Sequence, residues 1–399
     1  MTGPLSGYRI VDLTAMVSGP LATMTLADQG AEVIKVENPA GGDYTRLAAN
    51  RRNGYSASFL NNNRNKRSVA LNLKSDEGLE ILLRLVGGSD VFVQNFRPGV
   101  IERMGLGERA LRGIDPSLVY ASISGFGAAG PYAAKPVYDP LVQALSGLAS
   151  VQGADDAARP QLVRTILPDK LTGWVAAQAI TAALLHRAHT GEGQHVQVSM
   201  LGAVLAFLWG SDMGSQTFVG GELPQAEAAS FIDLIYATAT GYISVAVQTD
   251  REWQALTRAL DHPEWLEDPR FLSPALRQQH IDARLQLTQA VLYERTAEEW
   301  LQRLEAHGVP CAPVLTRSEV VHHPQVRDNA LVLESDHAQA GRLRQAAPPA
   351  DFSLTRAGIR HGAPALGADT DGILAELGYD EAARQRLRDR GVTAIEGVR

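Results

Sequence analysis

The sequence predicts an α/β fold, a parallel sheet with helices on its faces, joined by a smaller α+β domain. Three observations carry this. Tyr8 to Leu13 reads as a strand, Pro20 to Asp28 as a helix stopped by Gly30, and Glu32 to Val36 as the next strand, together a βαβ unit. The arrangement repeats with a strand from Ser68 to Leu73, a helix from Ser75 to Val86 closed by Gly87-Gly88, and a strand from Asp90 to Val93. From Phe231 to about Thr316 the pattern changes to one strand, Gly241 to Val247, then helices near Asp250 to Leu260, Arg277 to Tyr293 and Thr296 to His307.

Between these regions a strand is expected at Leu118 to Ile123, followed by the turn Ser124-Gly125-Phe126-Gly127. Glycines there serve a plain turn or let backbone pass close to a ligand. A helix near Leu141 to Leu148 and an Ala-rich helix running to about Ala188 follow. Thr190 to Gln194 then turns the chain into the strand His195 to Ser199 and a helix ending near Trp209. Met213 to Ala229, with Gly220-Gly221 at its middle, reads as a domain linker or an active-site loop. Pro324 to Arg399 has too few apolar runs for a core of its own and is expected to return to the first domain. The expected domains are therefore 1–215, 216–323 and a C-terminal return over 324–399.

Composition narrows the function classes. A net charge of −7 argues against general nucleic-acid binding. No run of about 18 apolar residues implies a membrane span. Met1 to Leu5 lacks the basic and apolar regions of a secretory signal, and Cys311, alone among 399 residues, cannot form an internal disulfide; the expectation is a cytoplasmic protein. Cys311 lies in an apolar stretch and reads as a buried, inert thiol, and His322-His323 as a surface turn without a third metal ligand. The sheet invites a nucleotide reading with Glu37 as ribose carboxylate. Thr14 to Pro20, however, contains neither G-x-G-x-x-G nor G-x-x-x-x-G-K. The fold is Rossmann-like without that glycine loop.

Two stretches carry candidate chemistry. Asp169 follows Pro168 and precedes the helical pattern Leu171, Trp174, Val175, Gln178, which places it at or near a helix N-cap where free N–H groups favour an ionised carboxylate. It reads as a cap or as a nucleophile. Thr172 and Gly173 leave room for close approach. Asn61 to Ser68 sets Arg64, Lys66 and Arg67 within four residues, a solvated loop or a local basic pocket.

The ordered motifs Asn63 to Lys74, Asn95-Phe96-Arg97-Pro98-Gly99 with Glu102-Arg103-Met104-Gly105, Ser122 to Gly127, and Pro168-Asp169 with Thr172-Gly173 resemble the class III (CaiB/BaiF) CoA-transferases. Supporting runs at Leu26 to Glu37, Thr190 to Gln194, Gly308 to Val314 and Pro364 to Gly367 extend the resemblance over nearly the whole chain. It implies a large Rossmann-like domain made from both chain ends, a small domain between them, and an interlocked, ring-like homodimer. It further implies an acyl-CoA:carboxylate CoA-transferase with Asp169 as covalent nucleophile, acyl-CoA and carboxylic acids as substrates, coenzyme A as substrate rather than cofactor, and no metal. Lys74, Asn95, Phe96, Arg97 and Arg103 match family positions that hold CoA, with Arg64, Lys66 and Arg67 as neighbours, while Val17 and Lys135 match positions lining the reaction pocket. Gly125, Gly127, Gly220 and Gly221 are the loop and oxyanion candidates.

Some positions depart from relatives. Oxalate-type transferases carry glutamine where this chain has Val17 and a basic residue where it has Asn38, which disfavours oxalate as acceptor. Racemases of the same fold pair the aspartate with a histidine at a position matching Tyr138, and tyrosine, with an ordinary pKa near 10, is a poor base at neutral pH. Transfer is therefore preferred, with succinyl-CoA or another dicarboxylyl-CoA as donor, over a racemase or a non-catalytic acyl-CoA-binding protein. Arg46, Arg51, Arg52 and Arg164 are the arginines available to a distal carboxylate.

Overall fold

The computed structural model describes residues 3–152, 159–220 and 234–395. The chain divides into two compact units, Met1–Met213 with Ala330–Arg399, and Gly214–Asn329. In the larger unit seven strands form one sheet in the order Thr393–Ala394, Lys66–Leu71, Glu32–Glu37, Arg9–Leu13, Val91–Gln94, Val119–Ser124, His195–Ser199. All neighbours are parallel except the first pair. Strand order reverses between Arg9–Leu13 and Val91–Gln94, and ligands of open α/β sheets bind outside the carboxyl ends of strands at such a reversal.

The central strands are covered on both faces, so they read as nearly continuous apolar runs. Successive residues point to opposite sides. Val11, Ile34, Val69, Phe92 and Tyr120 enter one core with Ile373, Leu374 and Leu387 of the C-terminal segment. Ile10, Val33, Val91 and Val119 enter the other, with Ala176, Ile180 and Ala183 of the helix Leu167–Thr190.

The smaller unit is a three-stranded antiparallel sheet ordered Cys311–Pro313, Gly241–Val245, Ile235–Thr238, with a core that includes Trp253, Trp265, Phe271 and Trp300. Several expectations need correction. The long helix expected from Arg277 to Tyr293 is two, Pro274–Gln279 and Ile281–Leu292, because His280 between them leaves helical geometry at φ −108° and ψ 36°. Cys311 is half-buried rather than buried; partial burial and the charge of Glu305 push its thiol pKa up, which keeps it unreactive. The strand placed at Ser68 begins at Lys66, a cation that looks like loop until its partner is seen. An antiparallel hairpin, Val332–His337 with Gly341–Ala346, carries no apolar alternation strong enough to announce it. Charges span it instead, Glu334 facing Arg342 and Arg344, and Asp336 facing Arg342.

Candidate active site

Asp169 lies on the helix Leu167–Thr190, whose first turns pack against the start of the helix Ser18–Asp28. Gly173 makes that approach possible: a Cβ there would stand 2.9 Å from the Ser18 carbonyl oxygen and 3.0 Å from the Leu21 side chain. Asp169 is the third residue of its helix, not the cap, which is Ile166. The Ser18 backbone N–H and hydroxyl favour the ionised Asp169 carboxylate, so the groups that stabilise its charge come from the neighbouring helix start rather than its own.

The Asp169 N–H is held in turn by Asp139 Oδ2 at 3.3 Å, and Asp139 Oδ1 accepts from Gln143 Nε2 at 2.6 Å. Asp139 is buried at the start of the helix Asp139–Leu145. Burial and the charge of Asp139 push the Asp169 carboxyl up, the N–H and hydroxyl of Ser18 pull it down, and it settles at about 6. Sequence alone suggested the opposite direction. At neutral pH the group is still mainly the carboxylate, and a more basic one than a surface aspartate.

A cavity of about 600 Å³ opens at the carboxyl ends of Arg9–Leu13, Glu32–Glu37 and Lys66–Leu71, lined by Leu13, Val36, Leu73, Lys74, Phe96 and Met104 among others. It brings Lys74 and Phe96 together. Phe96 also borders a smaller cavity of about 270 Å³, with Arg97, Gly127, and Ser122 bonded to His195 Nε2 at 2.6 Å. Asn95 turns inward, bridging the Ala15 N–H and C=O at 3.0 and 2.8 Å. Arg103 is exposed at the end of the short helix Val100–Arg103, next to Met104. Lys135 stands 3.2 Å above the Tyr132 ring, and Val17 is the buried N-cap of the Ser18–Asp28 helix. Gly125 abuts Val137, where a Cβ would come within 2.4 Å, and Gly127 has φ +96°. Gly220 has φ +78°, while Gly221 lies outside the described residues.

The cation run is spent on structure. Arg64 pairs with Asp28 at 2.7 Å, Lys66 with Asp12 at 3.0 Å, and Arg67 with Glu32 and Glu376. Arg64 and Lys66 are buried, so neither is a free neighbour for phosphates. Arg46 is likewise taken, by both oxygens of Glu37, and Arg52 by the Ala340 carbonyl. Ser18 and Asp139 were not singled out from sequence, although Ser-Gly-Pro and Asp-Pro are both helix-start signals. Among the described residues no group of three or more His, Cys, Asp or Glu side chains is placed to hold a metal ion. No helix among them is long and apolar enough to cross a membrane.

Comparison with known proteins identifies the family. The sequence profile of CoA-transferase family III matches residues 5–370. Succinyl-CoA:glutarate CoA-transferase of Mus musculus is 34% identical over 397 residues, covering 98% of this chain and 90% of that one. Formyl-CoA:oxalate CoA-transferase of Streptomyces coelicolor is 34% identical over 411 residues, covering 97% and 98%. The crystal structure of a CaiB/BaiF family protein from Brucella suis superposes with a TM-score of 0.82 at 30% identity, over 94% of this chain and all of that one. The sheet with its carboxyl-end cavity, the half-buried aspartate at a helix start and these matches lead to one assignment: the chain belongs to CoA-transferase family III and is a CoA-transferase.

Proposed function

We propose that the enzyme moves CoA between carboxylic acids with Asp169 as the covalent nucleophile, and that its donor is a dicarboxylyl-CoA such as succinyl-CoA. The observation that carries this reading is the Asp169 carboxylate itself: half-buried, raised to about 6, and held by Ser18. An Asp169 oxygen attacks the thioester carbonyl carbon and the C–S bond breaks, giving a mixed anhydride and the CoA thiolate. The thiolate attacks the Asp169 carbonyl carbon, releases the donor carboxylate and leaves an aspartyl-CoA thioester. The acceptor carboxylate opens that thioester, and the returning thiolate takes the new acyl group and frees Asp169. No net proton moves. The sequence uses no metal and no redox cofactor.

Elevated basicity helps a weak carboxylate nucleophile, and backbone N–H donors suit the oxyanions that develop; of the two loop candidates Gly125 and Gly127, the Gly127 N–H is turned to Ser124 Oγ at 3.2 Å. Lys74 and Phe96 at the strand ends suit the nucleotide end of CoA, with Arg97 and Arg103 nearby in sequence for phosphate charge. The succinyl assignment draws on the Mus musculus relative and on an Agrobacterium fabrum succinate–glutarate CoA-transferase, 32% identical over 385 residues. We propose a homodimer as well, supported by Trp174 and Leu185 of the Asp169 helix and Phe207 and Trp209 of Met200–Trp209, large side chains left exposed on one chain.

Intact-protein mass after mixing enzyme with succinyl-CoA and quenching in acid tests the chemistry. A CoA-sized adduct mapped to Asp169, absent from Asp169→Asn and fading as pH falls below about 6, is expected. Deuterium exchange at the acyl α-carbon with no adduct would move the assignment to racemisation. Sedimentation of the purified enzyme reads the dimer.

A further inference from the structure

We infer that Asp43 is a positioning residue: its carboxylate holds Met16 in a left-handed turn that sets the helix start bearing Ser18 against the helix of Asp169, where Gly173 lets the two approach. This role rests on the assignment of Asp169 made above. The turn, Thr14 to Val17, joins the strand Arg9–Leu13 to the helix Ser18–Asp28. Met16 within it has φ +73°, a conformation that suits glycine and that a residue with a Cβ keeps only when its surroundings impose it.

The surroundings do impose it, residue by residue. The Thr14 N–H donates to Asp12 Oδ1 at 2.9 Å and its carbonyl accepts from Lys35 Nζ at 2.9 Å. Ala15 is bridged through both backbone groups by Asn95. The Met16 N–H donates to Asp43 Oδ1 at 3.2 Å, which also accepts from the Thr45 N–H at 2.9 Å and hydroxyl at 2.8 Å. Asp43 Oδ2 faces Lys35 Nζ at 2.9 Å, with both side chains buried. Burial alone would raise the Asp43 carboxyl, but Lys35 and the Thr45 hydrogen bonds outweigh it and keep it charged. Asp43 is thus the side chain that grips the strained residue itself. The turn also closes on its own helix: a Cβ at Gly19 would fall 2.4 Å from the Thr14 Cβ.

Asp43 lines the 600 Å³ cavity too, beside Gly42 and Tyr44. The loop that bounds the strand-end cavity therefore holds the turn that serves the nucleophile.

Asparagine cannot do both jobs of Asp43. Its oxygen would go to Lys35, and its NH₂ would then face three donors, the Met16 N–H and the two groups of Thr45. Asp43→Asn is expected to lower kcat about tenfold to a hundredfold, with KM changing far less. The acid limb of the pH–rate profile should move up, because Ser18 no longer opposes burial and Asp139, the charged group facing Asp169; the neighbouring Lys170 is turned to Thr165 Oγ1 at 2.7 Å. Adding Met16→Gly should restore most of kcat, since glycine takes positive φ without being held.

Met16→Val tests the same turn with every buried charge intact, and serves if Asp43→Asn does not fold. The Met16 side chain is 39% exposed, so packing contributes little, while a β-branched residue rejects this φ. The same loss in kcat and the same acid-limb shift are expected. Wild-type kcat in Met16→Val, or a loss in Asp43→Asn that leaves the acid limb in place and is not relieved by Met16→Gly, overturns the inference. Asp169→Asn assayed alongside separates the two assignments: turnover surviving that change removes the nucleophile, whereas its loss beside a fully active Asp43→Asn removes only the positioning role.

Discussion

Asp169→Asn is expected to lower kcat about 10⁴-fold or more and, at the same time, to make the protein more resistant to denaturant at pH 8. The second half follows from the raised pKa. In the folded protein the carboxyl holds its proton up to about 6, against an ordinary 3.8. Between those values the folded state binds more protons than the unfolded state, so ionisation of Asp169 destabilises the fold progressively as pH rises through that window, and fully above it. The neutral amide escapes that loss. A gain of about 1–3 kcal/mol is expected at pH 8 and little or none at pH 4. Steady-state assays with succinyl-CoA and urea titrations at the two pH values check both parts. Unchanged turnover, or equal stability shifts at both pH values, would contradict this account of the site. The expected trade is the familiar one in which a half-buried, unneutralised charge is kept because the chemistry needs it.

The second large effect concerns stability. Asp12→Ala should destabilise the larger unit by about 3–5 kcal/mol, because it leaves Lys66 in the interior without its carboxylate, where the lysine must either stay charged and unpaired or give up its proton. Both side chains are fully buried, Lys66 Nζ lies 3.0 Å from Asp12 Oδ2, and the same carboxylate also accepts from Thr14 and Thr23. Burial already lowers the Lys66 pKa to about 8 with Asp12 in place. Replacing both members, Asp12→Ala with Lys66→Met, is expected to recover much of the loss, since the buried lysine left without its carboxylate and not the missing contact dominates it. Denaturant midpoints of the two variants decide the matter. A double variant as unstable as the single one would show that Thr14 and Thr23, rather than the ion pair, depend on Asp12.

Local pattern was enough for much of this protein. The βαβ units and the Ala-rich helix carrying Asp169 are written in periodicity, caps and glycines, all of which act within a few residues. The motif order was enough to point to the family. The hairpin at Val332–His337 and Gly341–Ala346 was not legible, because its pairing is by charge across strands and leaves no apolar alternation.

The roles of individual charged residues were decided only by the tertiary structure. Arg64, Lys66 and Arg67 read in sequence as a solvated loop or a local basic pocket and become structural because Asp28, Asp12, Glu32 and Glu376 arrive from elsewhere in the chain. Asn95, matched to a CoA position, spends its amide on Ala15, 80 residues away. Asp169 itself was visible, yet the direction of its pKa was not: that depends on burial, on Asp139 thirty residues before it and on Ser18 at another helix start. Electrostatic energy depends on distance and on exclusion of water, and neither is a property of neighbours in sequence. Sequence by itself determined which elements form and which carboxylate stands at the helix start; the packing of one helix start against another determined what that carboxylate can do.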